Sequence, residues 1–224
     1  MSQTVNFNQQ DRDVIYRVIE ARRDIRHFLP KQTVDDAVLE RILQAANDAP
    51  SVGLMQPWRF IRITDPELRR QLGEEAEQER IKTADKLGAR KEQFLKLKIE
   101  GINECAELLA MVMAPDDGTV VGRNTMPQEM AISSCACSIQ NMWLAARGEN
   151  LGLGWVSFFD QKKVAKLLNC PDNASPLAIL CLGPVIEFPP APLMSIAGWR
   201  EKKTLASVFY QNSYGQEPDK PVNC

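Results

Sequence analysis

The spacing of apolar residues changes along this chain in a way that marks off its elements. Over residues 11–22, Val14, Ile15, Val18 and Ile19 return at helical intervals and form one face of a first helix. Val34, Val38, Ile42 and Ala45 do the same for a second, with Thr33 as its expected cap, Asp36 three positions later, and Pro50 beyond its end. Phe60-Ile61-Arg62-Ile63 has the character of a short strand. From about Pro66 to Glu104 charged residues and strong helix formers dominate, and Leu87, Phe94, Leu95, Leu97 and Ile99 are the main apolar anchors. Acidic and basic side chains nearly cancel over 74–104, which suits either a solvated helical pair joined near Gly88 or a mobile lid over a site. Leu108 to Ala114 is a continuous apolar run, as for a strand covered on both faces. A helix rich in Ala, Ser and Cys spans about 127–147. Asp160 can cap a helix bearing Val164, Leu167 and Leu168, and Leu177 to Leu182 reads as a central strand. Strands and helices mix without regular βαβ repetition, so the expected class is α+β around a central sheet. The Pro-rich stretch from Pro189 is too apolar for pure disorder and is suited to wrapping a partner subunit.

Composition narrows the function classes. The chain has 224 residues, 44% hydrophobic and 25% charged, which places it among soluble globular proteins of one ordinary domain or two small ones. A net charge of −2 argues against general affinity for nucleic acid. No apolar run approaches the roughly 18–20 residues needed to span a membrane. The longest, Met126 to Ala146, is broken by Gln128, Glu129, Ser133, Ser134, Gln140 and Asn141. Met1 to Arg12 is polar and lacks the apolar core of a secretory signal, so a cytoplasmic protein is expected. The six cysteines, Cys105, Cys135, Cys137, Cys170, Cys181 and Cys224, show no CxxC spacing, and Cys135 and Cys137 should face different sides of their helix. With His27 the single histidine, no metal site is expected, and the cysteines read as free thiols in a reducing compartment.

Four segments carry candidate chemistry. Arg22-Arg23-Asp24-Ile25-Arg26-His27-Phe28 puts three arginines in five residues, which suits bidentate phosphate binding or, alternatively, the carbonyl end of the first helix. Asp24 should stay ionised among them. Ala49-Pro50-Ser51-Val52-Gly53-Leu54-Met55-Gln56-Pro57-Trp58 mixes fixed prolines, a permissive glycine, soft apolar side chains and hydrogen-bonding groups. It suits a flat, partly polar ring, or a helix-to-strand connection whose Trp58 covers the core. Leu151-Gly152-Leu153-Gly154-Trp155-Val156-Ser157-Phe158-Phe159-Asp160 contains GxG without the full GxGxxG, after a helix instead of a strand, so a Rossmann site is not expected. Its glycines would let the backbone pass close to a ring. Ser157 lies in no GxSxG elbow, and His27 reads as a surface residue, so a Ser-His hydrolase is not expected either. Gly198 to Leu205 adds basic residues that matter only if they join the arginines.

Together, in this order, these segments resemble the nitroreductase superfamily of FMN enzymes over about residues 11–215. They are most similar to its branch of 5,6-dimethylbenzimidazole synthases, to which Leu97-Lys98-Ile99-Glu100-Gly101-Ile102 adds. Other nitroreductases typically carry Ser where Asp24 stands and Asn near Leu54 or Met55. The resemblance implies an α+β nitroreductase-like sandwich, with a central, mostly antiparallel sheet flanked by helices. It implies a domain-swapped homodimer with FMN at the subunit interface, a lid over about 74–104, and a C-terminal extension, 189–224, wrapping the partner. Residues 1–224 would form a single FMN-binding domain. Arg22, Arg23 and Arg26 would hold the FMN phosphate, with Arg200 from the tail. Ser51, Met55, Gln56 and Pro57 would line the flavin and ribityl chain, and Ile25, Gly53, Leu97, Trp155 and Val156 would complete the binding set. Asp24 and Ser157 would be catalytic as well as contacting the flavin. The implied reaction is an O2-dependent fragmentation of reduced FMN, which yields 5,6-dimethylbenzimidazole, the cobalamin lower ligand, and erythrose 4-phosphate. NAD(P)H or a separate flavin reductase would supply the electrons. The alternatives are an FMN-dependent NAD(P)H oxidoreductase or nitroreductase, which cycles its flavin intact, and a non-catalytic flavin-binding protein.

Overall fold

Alternate side chains of one fully buried strand divide the interior into two layers. In a computed structural model of the chain, which describes residues 5–219, this strand is β2 (Glu107–Met113). It lies in a four-stranded sheet of order β1-β2-β4-β3, with β1 Trp58–Arg62, β3 Gly152–Val156 and β4 Ser175–Gly183. All three pairings are antiparallel. The helices are α1 (Gln9–Ala21), α2 (Asp36–Asn47), α3 (Pro66–Asp85), α4 (Lys91–Leu95), α5 (Pro127–Gly148), α6 (Gln161–Leu167) and α7 (Leu193–Ile196). On one face Leu109, Met111 and Met113 pack with Leu39, Ile42 and Ala46 of α2 and Cys135, Ile139 and Met142 of α5. On the other, Leu108 and Ala110 pack with Leu72 and Ala76 of α3 and Val164 of α6. The period-two alternation of the strand thus separates two helical layers, and the expected α+β sandwich is the observed one.

Local differences from the sequence expectations have simple causes. The cap of α2 is Asp35, not Thr33, because the Asp35 carboxylate accepts the Ala37 N–H at 2.8 Å. Val34 just before it is buried in the same cluster as Leu39, four positions into the helix, an arrangement that fixes the entry angle of the chain. Strand β3 was hidden by its glycines, which lower strand propensity. Gly152 and Gly154 do permit a close backbone approach, but to the chain itself: a Cβ on Gly154 would lie 2.1 Å from the Ile25 carbonyl oxygen. Cys135 is buried and Cys137 exposed, on different sides of α5 as expected; Cys224 lies outside the described residues. Within 74–104 the two pieces of helix flank a turn at Gly88–Arg90, yet Ala76 and Ala84 of α3 are fully buried, so this segment is partly core.

Two compact units divide between Phe188 and Pro189. In the second, α7 is followed by a single 3-10 turn, Leu205–Ser207, capped by Thr204, and Tyr210 and Tyr214 pack ring to ring at 5.1 Å. Among the described residues no helix is long and apolar enough to cross a membrane, and no group of three or more His, Cys, Asp or Glu is placed to hold a metal ion.

Two glycine substitutions should move stability in opposite directions. Gly154→Ala forces a Cβ against backbone and should cost about 3 kcal/mol, toward the upper end of overpacking penalties. Gly148→Ala, in the last turn of α5 with open space around it, should gain about 0.5 kcal/mol. Urea midpoints of the two variants measure both.

Candidate active site

Helix α1 ends when Arg22 turns extended (φ −64°, ψ 134°), and the chain then runs along the free edge of β3. Asp24 and Leu153 form a parallel bridge, and the Ile25 N–H donates to the Leu153 carbonyl at 3.1 Å. Two side chains extend this pairing to Trp155. The Trp155 N–H donates to Asp24 Oδ1 at 3.0 Å, and Arg26 Nη2 donates to the Trp155 carbonyl at 2.8 Å. Arg26 also grips Asp24 bidentately, Nη1 to Oδ1 at 2.8 Å and Nη2 to Oδ2 at 2.5 Å.

Burial raises the Asp24 carboxyl above its ordinary value, against the opposing pull of Arg26, the Trp155 N–H and Arg22. The neighbouring arginines do favour the charged form, as the sequence suggested, but loss of water is the larger influence. Burial likewise lowers the Arg22 guanidinium from the usual arginine value, with Asp24 opposing.

The three arginines do different things. Arg26 is turned inward onto Asp24, its side chain 11% exposed. Arg23 donates to the carbonyls of Glu20, at 2.6 Å, and Arg22, at 2.8 Å, at the helix end. Arg22 lies over the Trp143 ring at 4.7 Å. Trp143, on α5, escaped the sequence reading because a tryptophan in a helix of small residues looks like core. Its Nε1–H is shared between the carbonyls of Arg23 (3.0 Å) and Leu153 (2.9 Å), which clamps the edge segment to β3. Its ring also packs against Trp155, 6.4 Å between centroids. Ile25 and Val156 are core residues, His27 is exposed, and Ser157 is exposed just past the end of β3.

The Ser51–Pro57 segment sits nearer the other end of α5. Gly53, Leu54 and Gln56 all have positive φ (56°, 54° and 42°), a strained run that surrounding bonds hold in place. The Val52 N–H donates to Ser134 Oγ and the Gln56 N–H to Ser51 Oγ, both at 3.1 Å. Trp58 is core, with its Nε1–H on Asn47 Oδ1 at 3.1 Å, so the core-covering alternative holds for it. Met55 is half-buried against the same cluster, and Pro57 is buried. A Cβ on Gly53 would lie 2.6 Å from Thr119 Cγ2; the neighbouring loop is held by buried Arg123, bidentate to Asp116 at 2.9 Å.

Ser134 and Trp143 are nine residues apart, so α5 separates the two polar clusters by about 14 Å. Leu97 lies elsewhere again, half-buried in a cleft of about 330 Å³ shared with Glu77, Arg80 and Glu104. Arg200 belongs to the second unit, where its carbonyl accepts from Ser195 Oγ at 3.2 Å. Cationic side chains beside a desolvated carboxylate, and a loop of strained polar backbone, are chemistry fit for a phosphate and a polyhydroxy chain.

A model described as the Nitroreductase family matches residues 19–184. A 5,6-dimethylbenzimidazole synthase of Rhodobacter capsulatus is 40% identical, with 88% of this chain and 96% of that protein covered. One from Rhodospirillum rubrum is 34% identical, with 88% and 94% covered. A solved structure of oxidized iodotyrosine deiodinase bound to FMN and 3-iodo-L-tyrosine has a TM-score of 0.70 at 21% identity, over 89% of this chain and all of that one, a likeness of fold.

Trp143→Phe keeps the ring and removes the shared donor. It should cost about 1–2 kcal/mol in urea unfolding. Hydrogen exchange should speed up at the Ile25 and Trp155 amides while the β2 amides stay protected.

Proposed function

We propose that this chain, which belongs to the nitroreductase family, is a 5,6-dimethylbenzimidazole synthase acting on reduced FMN and O2. Asp24 carries the reading: a carboxylate oriented by three hydrogen bonds, raised by burial and flanked by arginines is suited to take a proton beside a bound phosphate ester. The extent of the likeness to the two synthases supports it.

Reduced FMN, when bound, supplies both the electrons for O2 and the carbon skeleton of the product. The protein does the rest. Arg22 and Arg23, with Arg200, hold the phosphate, while Arg26, which the sequence assigned to it, instead orients Asp24. Asp24 removes a proton at the ribityl C1′, and the Ser157 hydroxyl orients or relays it. Ser51, Gly53, Met55, Gln56, Pro57 and Trp155 form the walls, backed by the buried Ile25 and Val156. The 74–104 segment, with Leu97, covers the site and excludes water. Electrons arrive from NAD(P)H or from a separate flavin reductase, in the cytoplasm.

A homodimer brings the distant segments into one site. Helix α1 has no buried residue, and Val14, Ile15, Tyr16 and Ile19 leave its apolar face exposed. A second copy covers that face, with the elements from Pro189 onward wrapped or swapped around it.

Aerobic incubation with reduced FMN should yield 5,6-dimethylbenzimidazole and erythrose 4-phosphate; nitro-compound turnover with intact flavin would support the reductase alternative instead. Asp24→Asn should abolish product while FMN binding stays within a few-fold of wild type, and lost binding would make Asp24 structural. Asp24 works as a base only when ionised. Activity should therefore fall as pH drops through its raised pKa, at a higher pH than an ordinary aspartate would give. Arg22→Ala should weaken FMN binding about 10–100-fold and leave riboflavin binding nearly unchanged, as titrations would show.

A further inference from the structure

We propose that Glu75 is a positioning residue for Ser157, an inference that rests on the reading that Ser157 handles a proton. Glu75 sits on α3 and is 6% exposed. One of its oxygens holds the end of the turn that follows β3, and the other holds a lysine of α6. Oε1 accepts the Asp160 N–H at 3.1 Å, and Oε2 accepts Lys163 Nζ at 3.0 Å. Lys163 reaches Gln78 Oε1 as well, at 3.3 Å, so α3 and α6 are bridged twice.

The same turn is fixed from within. Asp160 caps α6 by accepting the Lys163 N–H at 3.0 Å, and the Phe159 N–H donates to the Ser157 carbonyl at 3.1 Å. Phe158 packs on Phe94 of α4, 5.9 Å between ring centroids. Ser157 is therefore the exposed first residue of a turn whose far end is tied to α3 and whose middle is tied to α4. Glu75 grips that turn by its backbone, so any effect on the hydroxyl passes through the turn.

Stability alone is a poor reason for this pair. Stripping water from a carboxylate costs several kcal/mol, and an apolar residue of similar volume is often as stable. Lys163 is half exposed and can return to water, so an apolar residue at 75 strands no charge. What a carboxylate supplies and a methionine does not is an acceptor aimed at the Asp160 N–H, which sets the direction of the turn.

The test compares Glu75→Gln, which keeps the acceptor, with Glu75→Met, which removes it, each with and without Ser157→Ala. Urea midpoints are measured alongside, and product formation from reduced FMN under air is assayed where every variant is folded. Glu75→Met should lower kcat at least about tenfold, since small displacements of a positioned group cost that much, with KM and FMN affinity unchanged. Glu75→Gln should remain within about threefold. In the Ser157→Ala background Glu75→Met should cost less than about twofold more, because the group it positions is gone. Glu75→Ala carries the same expectation if the methionine variant does not fold. Equal losses in both backgrounds, or a joint loss of kcat and FMN affinity, would overturn the proposal. Full activity of Glu75→Met with an impaired Ser157→Ala overturns it and leaves the Ser157 reading standing. A fully active Ser157→Ala sinks that reading and this proposal with it.

Discussion

Residues 24–26 lie so close to β3 that only a glycine at position 154 fits beneath them, and most of the candidate site follows from that approach. A chain reaching a sheet edge normally continues the ladder with backbone bonds. Here only Asp24 and Ile25 pair with Leu153, after which side chains take over, Asp24 accepting from the Trp155 N–H and Arg26 donating to the Trp155 carbonyl. Because one aspartate and one arginine satisfy the polar groups of a single strand residue, both side chains are locked by the sheet and not by a flexible loop. Trp143 closes the arrangement from the α5 side, its one N–H bridging the carbonyls of the two segments.

Helix α5 acts as the spacer. Its buried stripe, Ala131, Cys135, Ile139, Met142 and Ala146, fixes it on one face of the sheet. Polar residues beside that stripe then serve the loops: Ser134 accepts from Val52, Ser138 donates to the Ala46 carbonyl, and Trp143 reaches the edge segment. A small-residue helix lets these elements pack closely, so the strained turn at Gly53–Gln56 and the arginine segment are both set by one rigid rod.

The sequence showed the fold where hydrophobic spacing was strong. The run at Leu108–Met113, the long helix over 127–147 and the strand at Leu177–Leu182 all occur near their expected bounds. Strand β3 was missed because its glycines are there for contact, a tertiary reason that local propensity does not carry. Candidate chemistry was legible as residue types but not as partnerships. Nothing in the spacing of Arg22, Arg23 and Arg26 tells that Arg26 turns inward, and for Trp58 the sequence left core and ring-cradle readings open where the structure shows core. Glu75, Trp143 and Ser134 act through contacts 82 to 120 residues away in sequence, beyond any periodicity.

How a carboxylate gripped by an arginine can still accept a proton is answered atom by atom. A carboxylate offers about four acceptor positions, two on each oxygen. Asp24 Oδ1 is filled by Arg26 Nη1 and the Trp155 N–H. Among the described residues, Oδ2 receives Arg26 Nη2 alone, so one position on that oxygen is left over. The Asp24 side chain remains 40% exposed while that of Arg26 is nearly covered, so the carboxylate is the accessible member of the pair. Arginine then orients the group without filling it, since a bidentate grip fixes the carboxylate plane and leaves one acceptor position of Oδ2 over. Partial burial raises the carboxyl against the opposing pull of Arg26. A lysine in place of Arg26 would bind as a point charge and leave the plane free to rotate. The guanidinium, more than its charge, is what makes Asp24 directional.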